Sequence, residues 1–199
     1  MAGKRATKGG RIRSKRVLVV LGSPRKNGGS AKLARHIARG AESAGAEVET
    51  VFLHGLDIAW CKACEKCHKK GATGCSIDDG MTAIYKQVRA ADAFVFASPI
   101  YFFTMSAQLK TFVDRCYAVY DSDTGNSAFL GKPFALAFAY GAEDPLEAGC
   151  LNAIRPFQDG FERYLEARLV GVAYGSTDAC SKDEKLRQTA FELGRSLVE

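Results

Sequence analysis

Five short apolar runs, each followed by an amphipathic helical pattern, constrain the fold of this chain more than any other feature. The runs cover residues 17–21, 48–53, 93–97, 134–139 and 169–173. They are continuous rather than alternating, which is typical of strands that are buried on both faces of a parallel sheet. The sequence therefore predicts five parallel strands.

The segments between these runs predict helices. One stripe is built on Leu33 and Ile37, and the clearest contains Met105, Leu109, Phe112, Val113 and Cys116. We expect one helix to begin near Asp78-Asp79 and to carry Met81, Ile84, Tyr85 and Val88. A further helix is predicted to begin at Asp144-Pro145, and the last at a capping box that runs from Ser181 to Glu184.

Alternation of strands and helices predicts an α/β fold. Short right-handed connections give a three-layer, doubly wound parallel sheet of five strands, and the economical arrangement is the flavodoxin-like order 2-1-3-4-5. In such a sheet ligands bind at the carboxyl ends of the strands, where the order reverses between the first and third. The loops after those two strands are therefore the first place to look for a site.

Charge is unevenly distributed along the 199 residues. The net charge is +6, but residues 1–16 hold seven basic and no acidic residues, which leaves 21 basic against 22 acidic residues elsewhere. We expect residues 1–15 to be a disordered basic tail and residues 16–199 to form one domain, with a cysteine-rich insertion at about residues 58–78. A nearly neutral body argues against a nucleic-acid partner.

Cysteine usage and hydropathy bear on location. The chain has seven cysteines, an odd number, and no signal-peptide pattern or apolar run long enough to cross a bilayer. We therefore expect a cytoplasmic protein with no membrane association.

The loop after the first strand, Gly22-Ser-Pro-Arg-Lys-Asn-Gly-Gly-Ser30, predicts a phosphate site. Its glycines permit close backbone approach, and the helix that follows presents free N–H groups. It lacks the Gly-Lys-Ser/Thr end of a nucleoside-triphosphate loop and the spacing of a dinucleotide loop, so a monophosphate fits better. An ordinary glycine-rich turn is the alternative.

The loop after the third strand is aromatic. Tyr101, Phe102 and Phe103 stand where a loop is normally polar. Core packing alone would explain them, but beside a phosphate site they favour a flat ring as the ligand. A monophosphate at one end and an aromatic ring at the other describe FMN.

A four-cysteine motif follows the second strand. Cys61, Cys64, Cys67 and Cys75 have the spacing C-x2-C-x2-C-x7-C. Consecutive C-x2-C units suit a [4Fe–4S] cluster, whereas a zinc site more usually pairs two separated knuckles. Zinc and free thiols remain alternatives.

Two segments resemble the NADPH-dependent FMN reductase superfamily, namely "GSPRKNGGS" at 22–30 and "SPIYFFTMSAQLKTFVDR" at 98–115. The resemblance implies that the FMN phosphate is held by Ser23, Arg25, Asn27, Gly29 and Ser30. It implies isoalloxazine contacts from Pro99, Ile100, Tyr101 and Phe102, with Tyr140 and Gly141 completing the pocket.

The cysteine motif, with "SIDDGM" at 76–81, is similar to that of the iron–sulfur flavoprotein branch. That similarity implies a [4Fe–4S] cluster near the flavin, held by Cys61, Cys64, Cys67 and Cys75. The implied function is an FMN-dependent oxidoreductase that takes electrons from NAD(P)H or a small carrier. A homo-dimer or homo-tetramer is implied as well.

A different class of function is the competing hypothesis. In it, the chain is a zinc-stabilised binding module whose basic tail contacts nucleic acid or a protein. No side chain in the sequence is required as a general acid or nucleophile, because in a flavoprotein the cofactor carries the chemistry.

Overall fold

A parallel sheet organises the molecule. The computed structural model describes residues 13–199, so residues 1–12 of the predicted tail lie outside the described residues. The strands are β1 (Arg16–Leu21), β2 (Glu47–Phe52), β3 (Ala93–Tyr101), β4 (Thr104–Met105), β5 (Pro133–Tyr140) and β6 (Arg168–Ser176). Five of them are parallel in the order β2-β1-β3-β5-β6, which confirms the predicted flavodoxin-like order.

Helices cover both faces of this sheet. They are α1 (Gly29–Ser43), α2 (Met81–Ala90), α3 (Ala107–Arg115), α4 (Cys150–Phe157), α5 (Ala179–Lys182) and α6 (Glu184–Ser196). Side chains alternate along β1, so that Val17 and Val19 lie in one core and Leu18 and Val20 in the other. The predicted three layers are therefore present.

The two cores differ in the size of their side chains. On the α1/α6 face the central strands contribute mostly alanines, whereas the opposite face is filled by phenylalanines, among them Phe94, Phe96, Phe134 and Phe138. Small residues let helices lie close to the sheet, and aromatic residues hold them further away. The α1/α6 layer is thus the tightly packed one.

Two glycines permit the contact between α1 and α6. A Cβ on Gly40 would lie 1.9 Å from the carbonyl oxygen of Phe191, and one on Gly194 would lie 1.8 Å from that of Ile37. Both obstacles are backbone atoms, which cannot move aside without displacing a helix. The crossing therefore depends on the absence of both side chains.

Three helix beginnings differ from the predictions. The helix expected at Asp144-Pro145 begins at Cys150, because Asp144 instead caps a turn and Gly149 follows with φ +75°. The last helix is capped by Asp183, which accepts from the Leu186 N–H, and not by Ser181. At α3, Met105 of the predicted stripe lies in β4, and the helix begins at Ala107. Helix α2 begins at Met81, near the predicted Asp78-Asp79, and Asp79 accepts from the Met81 N–H.

The connection from β2 to α2 is long. Residues 53–80 contain two single turns of 3-10 helix and none of the α-helices or strands of the described chain, and all four clustered cysteines lie in it. Within residues 13–199, no helix has both the length and the apolar character that crossing a membrane requires.

Candidate functional site

The loops after β1 and β3 lie side by side at the carboxyl edge of the sheet. The Gly22 N–H donates to the Ala97 carbonyl at 2.8 Å, and the Ser106 hydroxyl donates to the Gly22 carbonyl at 2.7 Å. Ser106 also caps α3 by accepting from the Leu109 N–H. The two loops that the sequence singled out are therefore tied into one edge.

The loop after β1 ends at an uncapped helix. Gly28, the residue before α1, makes no side-chain capping hydrogen bond, and the first turn of α1 contains no acidic residue. Backbone N–H groups at a helix N-terminus carry partial positive charge and attract anions. The first turn of α1 can therefore receive a phosphate.

Close packing explains the glycines in this loop. A Cβ on Gly29 would lie 2.9 Å from the Ala139 Cβ, and one on Gly28 would lie 3.2 Å from the Ser23 hydroxyl. Ser23 and Ser30 are buried, and Ser23 accepts from the Arg25 N–H at 3.0 Å. The loop is therefore held against the sheet.

Arg25 and Asn27, in contrast, have exposed side chains. Either can turn toward an anion at the start of α1.

The loop after β3 is a tight hairpin. Tyr101 pairs with Thr104 in β4, and the two residues between them, Phe102 and Phe103, have φ of +46° and +66°. Two consecutive left-handed residues in a two-residue loop define a type I′ turn, which normally contains Asn and Gly. Bulky residues in this conformation are strained, and such strain is concentrated at functional sites.

The hairpin presents aromatic rings to the outside. Phe102 is 94% exposed, Phe103 55% and Tyr101 41%, while Ile100 is half-buried and Pro99 buried. Exposure of this extent costs hydrophobic free energy unless a partner covers the rings.

The third segment predicted to contact the flavin, Tyr140-Gly141, has one residue in the core and one at the surface. The Tyr140 side chain is buried in the aromatic core, and its carbonyl accepts from the Thr177 N–H at 2.8 Å. Gly141 is exposed, with open space where a Cβ would lie. At Tyr140 only the backbone lies at this edge of the sheet.

The four clustered cysteines line one cavity of about 450 Å³, together with Tyr117, Phe161 and Tyr164. Cys61 and Cys64 are exposed, whereas Cys67 and Cys75 are half-buried. Ala63 and Glu65 have φ of +49° and +54°, so the backbone turns sharply on both sides of Cys64. Among residues 13–199, no three His, Cys, Asp or Glu side chains are grouped so that they could hold a metal ion.

Hydrogen-bond donors and burial shift the pKa values of Cys64 and Cys67 in opposite directions. The Lys66 N–H and the Ser76 hydroxyl, which is 3.5 Å from the Cys64 sulfur, lower the pKa of Cys64. Burial, followed by the neighbouring thiols of Cys75, Cys61 and Cys64, raises the pKa of Cys67. Of these two thiols, Cys64 therefore ionises more readily than Cys67.

A buried ion pair beside this cavity was not predicted from the sequence. Arg115, at the end of α3, is 1% exposed and donates to both carboxylate oxygens of Asp79, at 2.7 and 3.1 Å. Burial by itself raises the pKa of Asp79, but hydrogen bonds from Arg115 and from two backbone N–H groups outweigh it and lower that pKa. The sequence offered a hint only in retrospect, because Arg115 is charged and precedes Cys116 on a helix whose stripe is apolar.

A flavodoxin-like sheet with an uncapped helix N-terminus and exposed aromatic rings at one edge is typical of one class of protein, the FMN-binding flavoproteins. The chain belongs to the NADPH-dependent FMN reductase family, whose pattern it matches over residues 15–161. This membership confirms the family resemblance, and the family supports FMN as the cofactor.

Curated relatives identify the branch. The chain is 38% identical over 96 residues to an iron–sulfur flavoprotein of Archaeoglobus fulgidus, covering 48% of this chain and 43% of that protein. It is 40% identical over 96 residues to one of Methanosarcina thermophila, covering 48% and 49%. A third, from Methanocaldococcus jannaschii, is 30% identical over 146 residues, covering 73% and 70%. The aligned part spans about half the length of the first two relatives.

Solved structures support the fold. An NAD(P)H:quinone oxidoreductase from Methanothermobacter marburgensis superposes with a TM-score of 0.68 at 18% identity, covering 94% of this chain and 98% of that one. A WrbA-like flavodoxin from Agrobacterium tumefaciens gives 0.60 at 16% identity, covering 93% and 96%. At such low identity these likenesses establish the flavodoxin-like fold alone.

Proposed function

We propose that the protein is an iron–sulfur flavoprotein that carries electrons from NAD(P)H, or from a reduced small-molecule or small-protein carrier, to an acceptor. The observation that carries the proposal is the placement of all four thiols around one cavity. When bound, FMN exchanges electrons in pairs or singly and a [4Fe–4S] cluster exchanges them singly. The chain's own residues bind and position both groups.

The first turn of α1 holds the phosphate in this proposal. The N–H groups near Gly29 and Ser30 donate to it, Ser23 keeps the loop in shape, and Arg25 and Asn27 reach it from the surface. The exposed Phe102 ring and the backbone at Pro99, Ile100 and Tyr101 contact the isoalloxazine. Gly141 leaves open space beside the strand end at Tyr140.

The spacing of the thiols favours a cluster over zinc. Consecutive C-x2-C units let one tight loop offer three thiolates to a cubane, whereas a zinc site more usually pairs two separated knuckles. Cys61, Cys64, Cys67 and Cys75 have this spacing and line one cavity of about 450 Å³.

The proposal includes a cytoplasmic location. All seven cysteines are free thiols, as expected in a reducing compartment.

One anaerobic preparation tests the proposal. We expect a yellow-brown protein with FMN, about four irons and about four sulfides per chain, measured by absorbance, iron, sulfide and zinc analysis. Cys64→Ser should lose iron and keep FMN, whereas Cys180→Ala, at a buried thiol outside the cavity, should keep both. Protein with stoichiometric zinc and no iron would contradict the cluster, and protein that takes up no FMN would contradict the whole proposal.

A further inference from the structure

Arg115 uses every N–H of its guanidinium group in one buried network. Two of the five go to Asp79, and the others go to the Ala59 carbonyl at 2.6 Å, the Ile77 carbonyl at 3.4 Å and the Tyr85 hydroxyl at 3.3 Å. Tyr85 in turn donates to the Arg115 carbonyl at 3.0 Å. A side chain that is buried and fully bonded in this way has one orientation.

The acceptors of Arg115 are the two ends of the cysteine loop. Ala59 lies two residues before Cys61, and Ile77 lies two residues after Cys75. The two ends are also joined directly, because the Ala59 N–H donates to Asp79 at 2.9 Å and the Gly80 N–H donates to the Asp57 carbonyl at 2.9 Å. The loop therefore closes on itself at a neck, and Arg115 lies at that neck.

The same helix connects this neck to the flavin side of the molecule. Helix α3 begins at Ala107, directly after Ser106, whose hydroxyl is bonded to Gly22 in the phosphate loop. It ends at Arg115, about 13 Å further along at 1.5 Å per residue. One rigid helix thus has its start on the flavin loops and its end on the cysteine loop.

We propose that Arg115 is a positioning residue that fixes the four-cysteine loop relative to the flavin crevice. Its planar fork binds the carboxylate of Asp79 and both neck carbonyls at once, which an ammonium group cannot reproduce. That the fixed loop serves electron transfer between the two groups rests on the proposed function. That Arg115 holds the loop in place does not, because the hydrogen bonds involved are made within the chain itself.

Hydrogen exchange on iron-free, FMN-loaded protein tests the positioning. In Arg115→Lys we expect backbone amides in residues 59–80 to exchange about tenfold faster or more, while amides of β3 and β5 keep their rates. Arg163→Lys, which alters an exposed pair with Asp159, is the matched control and should change neither region. Equal acceleration everywhere, or none in residues 59–80, would overturn the proposal.

A second variant covers the case in which Arg115→Lys does not fold. Asp79→Asn keeps the shape of the partner and removes its charge, and we expect the same local acceleration. If this variant is also unfolded, or accelerates the core equally, Arg115 is a general stability residue and the proposal is wrong.

Iron content and the EPR spectrum of reduced protein supply the functional readout. In Arg115→Lys we expect the iron-to-FMN ratio to fall at least about twofold at unchanged FMN content, or the EPR line shape to change if iron is retained, because the thiols are no longer held in place. Unchanged iron together with an unchanged spectrum would overturn the proposal. If the wild type binds no iron, the cluster proposal fails, and the exchange result still decides the role of Arg115.

Discussion

Charge at one exposed residue should set much of the affinity for FMN. Arg25 lies on the loop before α1, and its side chain is free to reach a phosphate. Because a hydrogen bond to a charged group contributes about 1.5–3 kcal/mol, Arg25→Gln should weaken FMN binding by roughly 10- to 100-fold. Fluorescence titration of FMN into apoprotein measures the dissociation constant. Arg163→Gln, in the segment after α4 where Arg163 forms an exposed pair with Asp159, is the control. An unchanged affinity in Arg25→Gln would remove Arg25 from the phosphate site.

A histidine on α1 should make the fold sensitive to mild acid. Burial, then the charges of Arg39 and Arg187, lower the pKa of His36 below its ordinary value of 6.5. As the pH falls below about 6.5, the unfolded chain therefore binds this proton before the folded one does, and stability is lost. His36→Gln should flatten the dependence of the unfolding midpoint on pH between 7.5 and 5.5 in urea titrations.

At the scale of elements, the aromatic hairpin between β3 and β4 is strained and keeps its rings exposed, which lowers the stability of the fold. Phe102 has φ +46° and is 94% exposed, so it is strained and buries almost nothing. Phe102→Gly should raise the free energy of unfolding of the apoprotein by about 1 kcal/mol while weakening FMN binding. Phe102→Ala loses the ring but keeps the strain, so it should weaken binding with no gain in stability. Equal stability of the two variants would contradict the strain.

The α1/α6 contact gives a second element-scale prediction. Alanine at Gly40 or Gly194 places a methyl group inside the backbone of the facing helix. Each substitution should therefore destabilise the protein by at least about 1–3 kcal/mol, the usual range for overpacking. Gly160→Ala is the matched control, because open space surrounds that position. Urea unfolding compares the three, and a neutral Gly40→Ala would mean that the helices can separate at little cost.

Sequence patterns identified these elements better than their ends. The five apolar runs predicted the sheet because burial on both faces leaves a continuous signal. The hairpin at β4 escaped prediction because its turn residues are Phe102 and Phe103 rather than Asn and Gly. The fourth helix was placed too early because Asp144-Pro145 serves equally well as a turn, and Gly149, with φ +75°, separates that turn from the helix.

At the scale of the whole molecule, the exposed apolar surface suggests a second copy of the chain. Phe103 lies against Gly149, and Phe102 lies beside Phe103. Leu146 and Leu151, 65% and 54% exposed, flank that glycine in sequence. We propose that this patch joins subunits in a homo-dimer or homo-tetramer. Leu146→Glu should lower the sedimentation coefficient to that of a smaller species, whereas Leu130→Glu, at a separate exposed leucine, should not. A wild-type monomer at all concentrations would contradict the proposal.

The candidate site could be predicted in its parts but not in its assembly. Both flavin loops and all four cysteines were recognisable, because each follows a strand and carries its own local signature. The pairing of Arg115 with Asp79 was not, because 36 residues separate them and the local pattern at Asp79 indicated only the start of a helix. Pairing across that distance is decided by the packing of α3 against the neck, which no local window of the sequence contains.

The closed neck of the cysteine loop makes that loop a removable module. Residues 57–59 and 79–80 hydrogen-bond to each other, so the chain enters and leaves the loop at one point, as in an Ω-loop. Excision of residues 60–78 would bring together two ends that are already neighbours and would leave the path of the sheet unchanged. In evolutionary terms, a simple flavin domain can therefore gain or lose this four-cysteine loop in one step, without rebuilding its sheet.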